Sequence, residues 1–238
     1  MHTETIDYQV GGIQLEAYVA YDSTVKTRRP TVLVAHAWAG RDSFVEEKAR
    51  QLAEMGYVGF AMDVYGKGVL GGGIETNNKL MQPFMDDRAL LQNRLFSALE
   101  TAKRLRVVDS TKIAAMGYCF GGLCVLDMAR SGMDLKGVVS FHGILKSPNS
   151  VLVGKIKAKV LVLHGHDDPM VQPDAVLAFE KEMTNIRADW QLHVFGETMH
   201  SFTNPEANDP DFGTVFNPLA DKRSWIAMTY FFQEIFAS

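Results

Sequence analysis

Apolar runs of strand length alternate with segments of helical period along most of this chain, and that alternation limits the fold more than any other feature. "PTVLVAHA" (30–37) is a continuous run rich in β-branched residues, as a strand buried on both faces should be. "VEEKARQLAEMG" (45–56) follows with helical spacing at Val45, Ala49, Leu52 and Met55, and Gly56 supplies the stop. "YVGFAMDV" (57–64), "KIAAMGY" (112–118), "KGVVSFHG" (136–143), "AKVLVLHG" (158–165) and "WQLHVF" (190–195) predict further strands. Helices are predicted over roughly 86–106, over 120–130, near 173–184 and near 219–236. "IQLEAYVA" (13–20) alternates with period two and predicts an antiparallel edge strand, hairpin-paired with 4–10 through Gly11-Gly12. Strands separated by helices mean βαβ units. The expected class is α/β, with a mostly parallel central sheet, an antiparallel N-terminal edge and helices on both faces. With no internal repeat and no long linker, a single domain over 1–238 is the economical expectation.

Charge and composition remove several functions. A net charge of -4 over 238 residues, with no block of like charge, makes no electrostatic case for nucleic acid or an anionic membrane. No stretch has the roughly 18 apolar residues of a membrane span, and "MHTETIDYQV" lacks the basic start and apolar core of a signal peptide. The two cysteines, Cys119 and Cys124, lie five residues apart on a predicted helix and are poorly placed to bridge. Free thiols suit a reducing compartment, so a cytoplasmic location is expected.

The chemistry concentrates around Cys119. "GYCFGG" (117–122) sits where a predicted strand ends and a predicted helix begins, the context of a nucleophile elbow. Taken alone, the thiol is a buried small hydrophobe, a redox handle or a nucleophile. In the third case the helix N-terminus points N–H groups and a positive dipole end at the sulfur, and the N–H of Phe120 becomes an oxyanion donor. Cys124 is expected in the core. The stretch has neither the Lys-Ser/Thr ending of a phosphate-binding loop nor the full dinucleotide fingerprint.

A nucleophilic thiol needs a base, and the base needs an orienting acid. "VLVLHGHDDPMV" (160–171) puts an acidic pair just past a strand, and "LHVFGETMHSF" (192–202) puts His200 just past the last strand. Open α/β sheets place their sites at that edge. Asp168 is preferred to Asp167 because it leads a rigid proline turn in the Gly165–Val171 spacing. "HGHDDP" also resembles the opening of a binuclear metal motif through His164, His166 and Asp168. Pro169 stands where that motif's last histidine belongs, so no metal is expected.

With these residues in place, the chain resembles the dienelactone hydrolase family of α/β-hydrolases over nearly its whole length. "VLVAHAWAG", "DVYGKG", "GYCFGG", "HGHDDPMV" and "HSF" carry the resemblance, the cysteine elbow most specifically. The resemblance implies a catalytic triad of Cys119, Asp168 and His200, with a second oxyanion donor from the turn after "VLVAH", the N–H of Trp38. It also marks two departures. The family's thiol-activating glutamate corresponds to Ala37 here, and its carboxylate-gripping arginine to Asn204. A strict dienelactone hydrolase is therefore not expected. Arg88 and Arg94 on the second predicted helix are candidates to supply a positive charge in place of that arginine, and are taken by preference for surface residues.

The function expected is cleavage of a small ester, lactone or thioester through an acyl-cysteine, without a cofactor, by a monomer or homodimer. The alternative is a thiol redox or sensor protein using Cys119. His36, Tyr65 and His142 lie at strand ends and are candidates to line the substrate pocket, with Trp38 beside them. The segments 65–83 and 204–218 are each a lid or a plain solvated loop.

Overall fold

The computed structural model describes residues 1–148 and 156–237. They form two compact units, Met1–Met116 and Gly117–Ser238. The fold is α/β as expected, with eight strands of a mostly parallel sheet, an antiparallel N-terminal edge and helices on both faces.

In the first unit, β1 (His2–Val10) and β2 (Ile13–Tyr21) form the expected hairpin, Val10 opposite Ile13, around a Gly11-Gly12 turn with positive φ at both residues. β3 (Arg29–Ala35) pairs parallel with β4 (Val58–Met62), and β2 pairs antiparallel with β4. With β5 (Val108–Tyr118) the order is β1-β2-β4-β3-β5. Every residue of β4 is buried, and every residue of β3 except Pro30, as the apolar runs Val32–Ala35 and Val58–Met62 require. α1 (Ser43–Glu54) starts where the Asp42 carboxylate accepts the Val45 N–H, and it buries Val45, Ala49 and Leu52.

Two expectations in this unit are corrected. The segment taken as a loop from Tyr65 to Pro83 contains a helix, α2 (Ile74–Asp86). Its buried residues are only Asn77 and Phe84, so no apolar stripe announces it, and Pro83 falls in its last turn where a break is expected. Arg88 and Arg94, on α3 (Arg88–Lys103), are buried rather than on the surface. Arg94 shares a helical stripe with Leu91, Leu95 and Ala98, and its guanidinium donates to the Val10 carbonyl at 3.1 Å.

In the second unit, β6 (Gly137–Phe141), β7 (Lys159–Gly165) and β8 (Trp190–Phe195) run parallel in that order. α4 (Phe120–Arg130) is buried at all eleven positions. A helix covered all round must be apolar all round, and this one has two exceptions, Asp127 and Arg130. Arg130 reaches Asp127 at 3.4 Å and Glu182 of α5 (Pro173–Asn185) at 2.7 Å, and it donates to the Leu145 carbonyl at 2.9 Å. The segment 204–218 is not a featureless loop. It holds a small hairpin, β9 (Asn208–Asp209) with β10 (Thr214–Val215), before α6 (Pro218–Ala237). Among the described residues no helix is long and apolar enough to cross a membrane.

Candidate active site

β5 ends at Tyr118 and α4 begins at Phe120, leaving Cys119 alone to make the turn. Its backbone sits at φ 55°, ψ -115°, a conformation that costs a side-chain-bearing residue of the order of 1–3 kcal/mol. Such a turn brings strand and helix into near contact. A Cβ at Gly117 would overlap the Gly121 carbonyl and stand 3.0 Å from its Cα, so Gly117 permits the approach. Cys119 is half-buried and its N–H donates to the Phe141 carbonyl of β6 at 3.0 Å, while Cys124 is fully buried. The Gly122 and Leu123 N–H groups both donate to the Cys119 carbonyl, at 3.0 and 3.3 Å, and close the first turn of α4.

The residues predicted as acid and base lie in the loops that follow β7 and β8. Asp168 is buried and Asp167 exposed. One oxygen of Asp168 accepts the Met170 N–H at 2.8 Å, which fixes the proline turn, and the other meets Nδ1 of His200 at 2.7 Å. A carboxylate only accepts, so the hydrogen on Nδ1 is His200's, and Nε2 is the ring's other working atom. Nε2 is buried and makes no hydrogen bond of normal geometry, yet the Cys119 sulfur is near enough to act on the ring. Burial pulls the His200 pKa down. The Cys119 charge, then the hydrogen bond with Asp168, the nearness of the Cys119 sulfur and the Asp168 charge outweigh it and push the pKa up to about 10.

His142, at the end of β6, lies beside this pair. Its ring stands 5.0 Å from that of His200, edge to face, with Nε2 2.8 Å from the Thr203 hydroxyl and a backbone φ of 38°. Burial, and then the charge of His200, hold its pKa well below the usual histidine range. Burial likewise lowers His164.

The other candidates lie in the first unit. His36 is fully buried, with Nδ1 on the Ala37 carbonyl at 2.7 Å and Nε2 accepting the Val64 N–H at 3.2 Å. It braces the ends of β3 and β4. The Tyr65 hydroxyl donates to the Trp38 carbonyl at 3.0 Å, tying down the turn that carries Trp38. Asn204 is also committed, its side-chain carbonyl accepting the Glu206 N–H at 3.0 Å. Sequence reasoning passed over Thr203 and Gly213. The Gly213 carbonyl accepts the His200 N–H at 3.0 Å, and "FGTV", a glycine ahead of two β-branched residues in a polar stretch, is the one signal that marks it.

The model of the dienelactone hydrolase family matches residues 15–236. The chain belongs to the dienelactone hydrolase family. A dienelactone hydrolase-like promiscuous phosphotriesterase, P91, from metagenomic libraries is 34% identical, with a TM-score of 0.94 over 99% of this chain and 98% of its own. An uncharacterised protein of Caenorhabditis elegans is 38% identical over 155 residues, 64% of this chain and 98% of its own. A carboxymethylenebutenolidase of Pseudomonas putida is 24% identical over 212 residues, 83% of this chain and 87% of its own. As a dienelactone hydrolase family member, the chain is a hydrolase with the α/β-hydrolase fold.

Proposed function

We propose that this hydrolase cleaves small esters, lactones or thioesters through an acyl-cysteine. The supporting observation is a half-buried thiol on a strained elbow whose charge acts on a histidine already bonded to a buried carboxylate at 2.7 Å. The Cys119 sulfur adds to the substrate carbonyl carbon, and the N–H of Phe120 holds the oxyanion. Losing one such donor typically costs about 10²–10³ in turnover. The tetrahedral adduct collapses, the bond to the leaving oxygen or sulfur breaks, and His200 protonates it through Nε2. His200 then takes a proton from water, the hydroxide attacks the acyl-cysteine, and the carboxylic acid leaves with the thiolate restored. Asp168 holds the Nδ1–H tautomer throughout.

The substrates are neutral. The family's carboxylate-gripping arginine is an asparagine, Asn204, whose side chain closes a turn. Its thiol-activating glutamate is Ala37, which leaves activation of Cys119 to His200. Aryl phosphotriesters form a second class, favoured by the 34% identity with a promiscuous phosphotriesterase. There the same thiol attacks phosphorus and the aryloxide leaves.

The test is to mix the enzyme with a series of short-chain aryl esters and an aryl phosphotriester, quench, and weigh the protein. The expected result is a mass increment that tracks each acyl group, maps to Cys119 and disappears in Cys119→Ala together with turnover. Full turnover in Cys119→Ala would sink the reading.

A further inference from the structure

The acid and the base sit on separate loops, after β7 and β8, and two side chains must meet across the gap with hydrogen-bond accuracy. Two backbone features join these loops. One is direct: the Asp167 N–H donates to the Thr198 carbonyl at 3.0 Å. The other runs through the small hairpin. Both backbone polar groups of His200 are bonded to the stretch entering β10. Its N–H donates to the Gly213 carbonyl at 3.0 Å and its carbonyl accepts the Val215 N–H at 3.1 Å, a parallel bridge between His200 and Thr214. Gly213 itself lies at φ 85°, the left-handed region. A Cβ there would stand 2.7 Å from Cδ of Pro169 and closer still to its Cγ. Pro169 is the residue bonded to Asp168. The proline ring on the acid's side therefore rests on the bare α-carbon of the residue that carries the base's backbone.

From this closed circuit (Asp168 to Pro169, across the contact to Gly213, to His200, and back through the carboxylate) we propose that Gly213 is a positioning residue, forming with Pro169 a spacer that sets the reach of Asp168 to His200. The proposal rests on the triad reading above and deepens it. The size of the effect follows from the packing. Relaxing the overlap to an ordinary carbon–carbon separation of about 3.5–4.0 Å requires a shift on the order of 1 Å or more. Hydrogen bonds of this kind are spent beyond about 3.2 Å, and the one between Nδ1 of His200 and Asp168 starts at 2.7 Å. The tie at Asp167 prevents the loops from parting as rigid bodies, so the strain falls on the bond between the two anchors.

The experiment compares Gly213→Ala, Pro169→Ala and the double variant. Gly213→Ala is expected to lose roughly 10²-fold in kcat, the usual cost of a misplacement near 1 Å, with KM little changed. It should also lose the downfield Nδ1–H proton resonance of His200 and move the alkaline limb of kcat/KM to lower pH. Pro169→Ala removes the Cγ and Cδ atoms that a Cβ at 213 would strike. The double variant should therefore recover kcat to within about threefold of Pro169→Ala alone, and regain the resonance. Full kcat in Gly213→Ala overturns the spacer, as does a loss that leaves the resonance and the alkaline limb in place, or a double variant no better than Gly213→Ala. If Gly213→Ala does not fold, a folded and active double variant supports the spacer and an unfolded one overturns it. Asp168→Asn separates the two ideas. Full activity in that variant removes the triad reading itself, whereas an inactive Asp168→Asn beside a fully active Gly213→Ala removes only the spacer.

Discussion

Cys119 carries a Cβ at φ 55°, ψ -115°, where only glycine is comfortable. A side chain stands here against the preference of the backbone, and the difference can be measured. Cys119→Ala keeps the backbone penalty, while Cys119→Gly removes it. Against a strain of about 1–3 kcal/mol stands the extra freedom glycine gives the unfolded chain, about 0.4–1 kcal/mol. Cys119→Gly should therefore be about 1 kcal/mol more stable than Cys119→Ala by urea unfolding, both variants being inactive. Equal stability would mean that the elbow stores no strain. The sequence marks this residue through Gly-x-Cys-x-Gly at a strand-to-helix junction, a pattern that by itself leaves a buried, a redox and a nucleophilic thiol open. It does not reveal which of Asp167 and Asp168 meets His200 in space. The residues alone favour Asp168 through its proline turn, and the 2.7 Å bond depends on loops whose contacts are far apart along the chain.

α4 places Cys119 at its N-terminal end, and at its other end Arg130 holds the helix in the fold. The guanidinium is fully buried, pairs with Asp127 and Glu182, and caps the Leu145 carbonyl. Breaking a buried charge network by deleting one partner leaves the others uncompensated, at about 3–5 kcal/mol. Arg130→Met should destabilise by that amount in equilibrium unfolding. Arg130→Lys should recover only part of it, because an ammonium does not reproduce the fork. An Arg130→Met variant as stable as the parent would refute the account. Legibility from sequence divides along the same line of local against distant causes. β3, β4 and β7 are evident because burial on both faces writes an unbroken apolar run, and α1 because one buried stripe repeats at helical spacing. α2 has no stripe, the two-residue strands β9 and β10 are too short for a period, and the burial of Arg94 depends on a carbonyl 84 positions away.

Across the whole protein, acid stability follows from histidines held neutral. Burial depresses His36, His142 and His164. Below about pH 6.5 the unfolded chain takes up protons at these positions while the folded one does not. Stability is thus present above that pH and lost as pH falls toward each depressed folded value, at up to about 1.4 kcal/mol per pH unit per histidine. His200, pushed up to about 10, has the opposite sign: its contribution is complete below about 6.5 and fades as pH climbs toward 10. Urea midpoints should fall between pH 6.5 and 5, and His142→Gln should lessen that fall by the share of one proton. An unchanged slope in that variant would show that His142 is not among the groups held neutral.

The two thiols divide the molecule's reactivity between them. Cys119 is within reach of reagents in the native state, whereas Cys124 sits five residues further on in a helix with no exposed face. A thiol reagent applied to the folded protein therefore counts intact elbows, one per chain. The later appearance of a second equivalent times the opening of α4. The protein carries its own clock for unfolding, set by a thiol buried inside that helix.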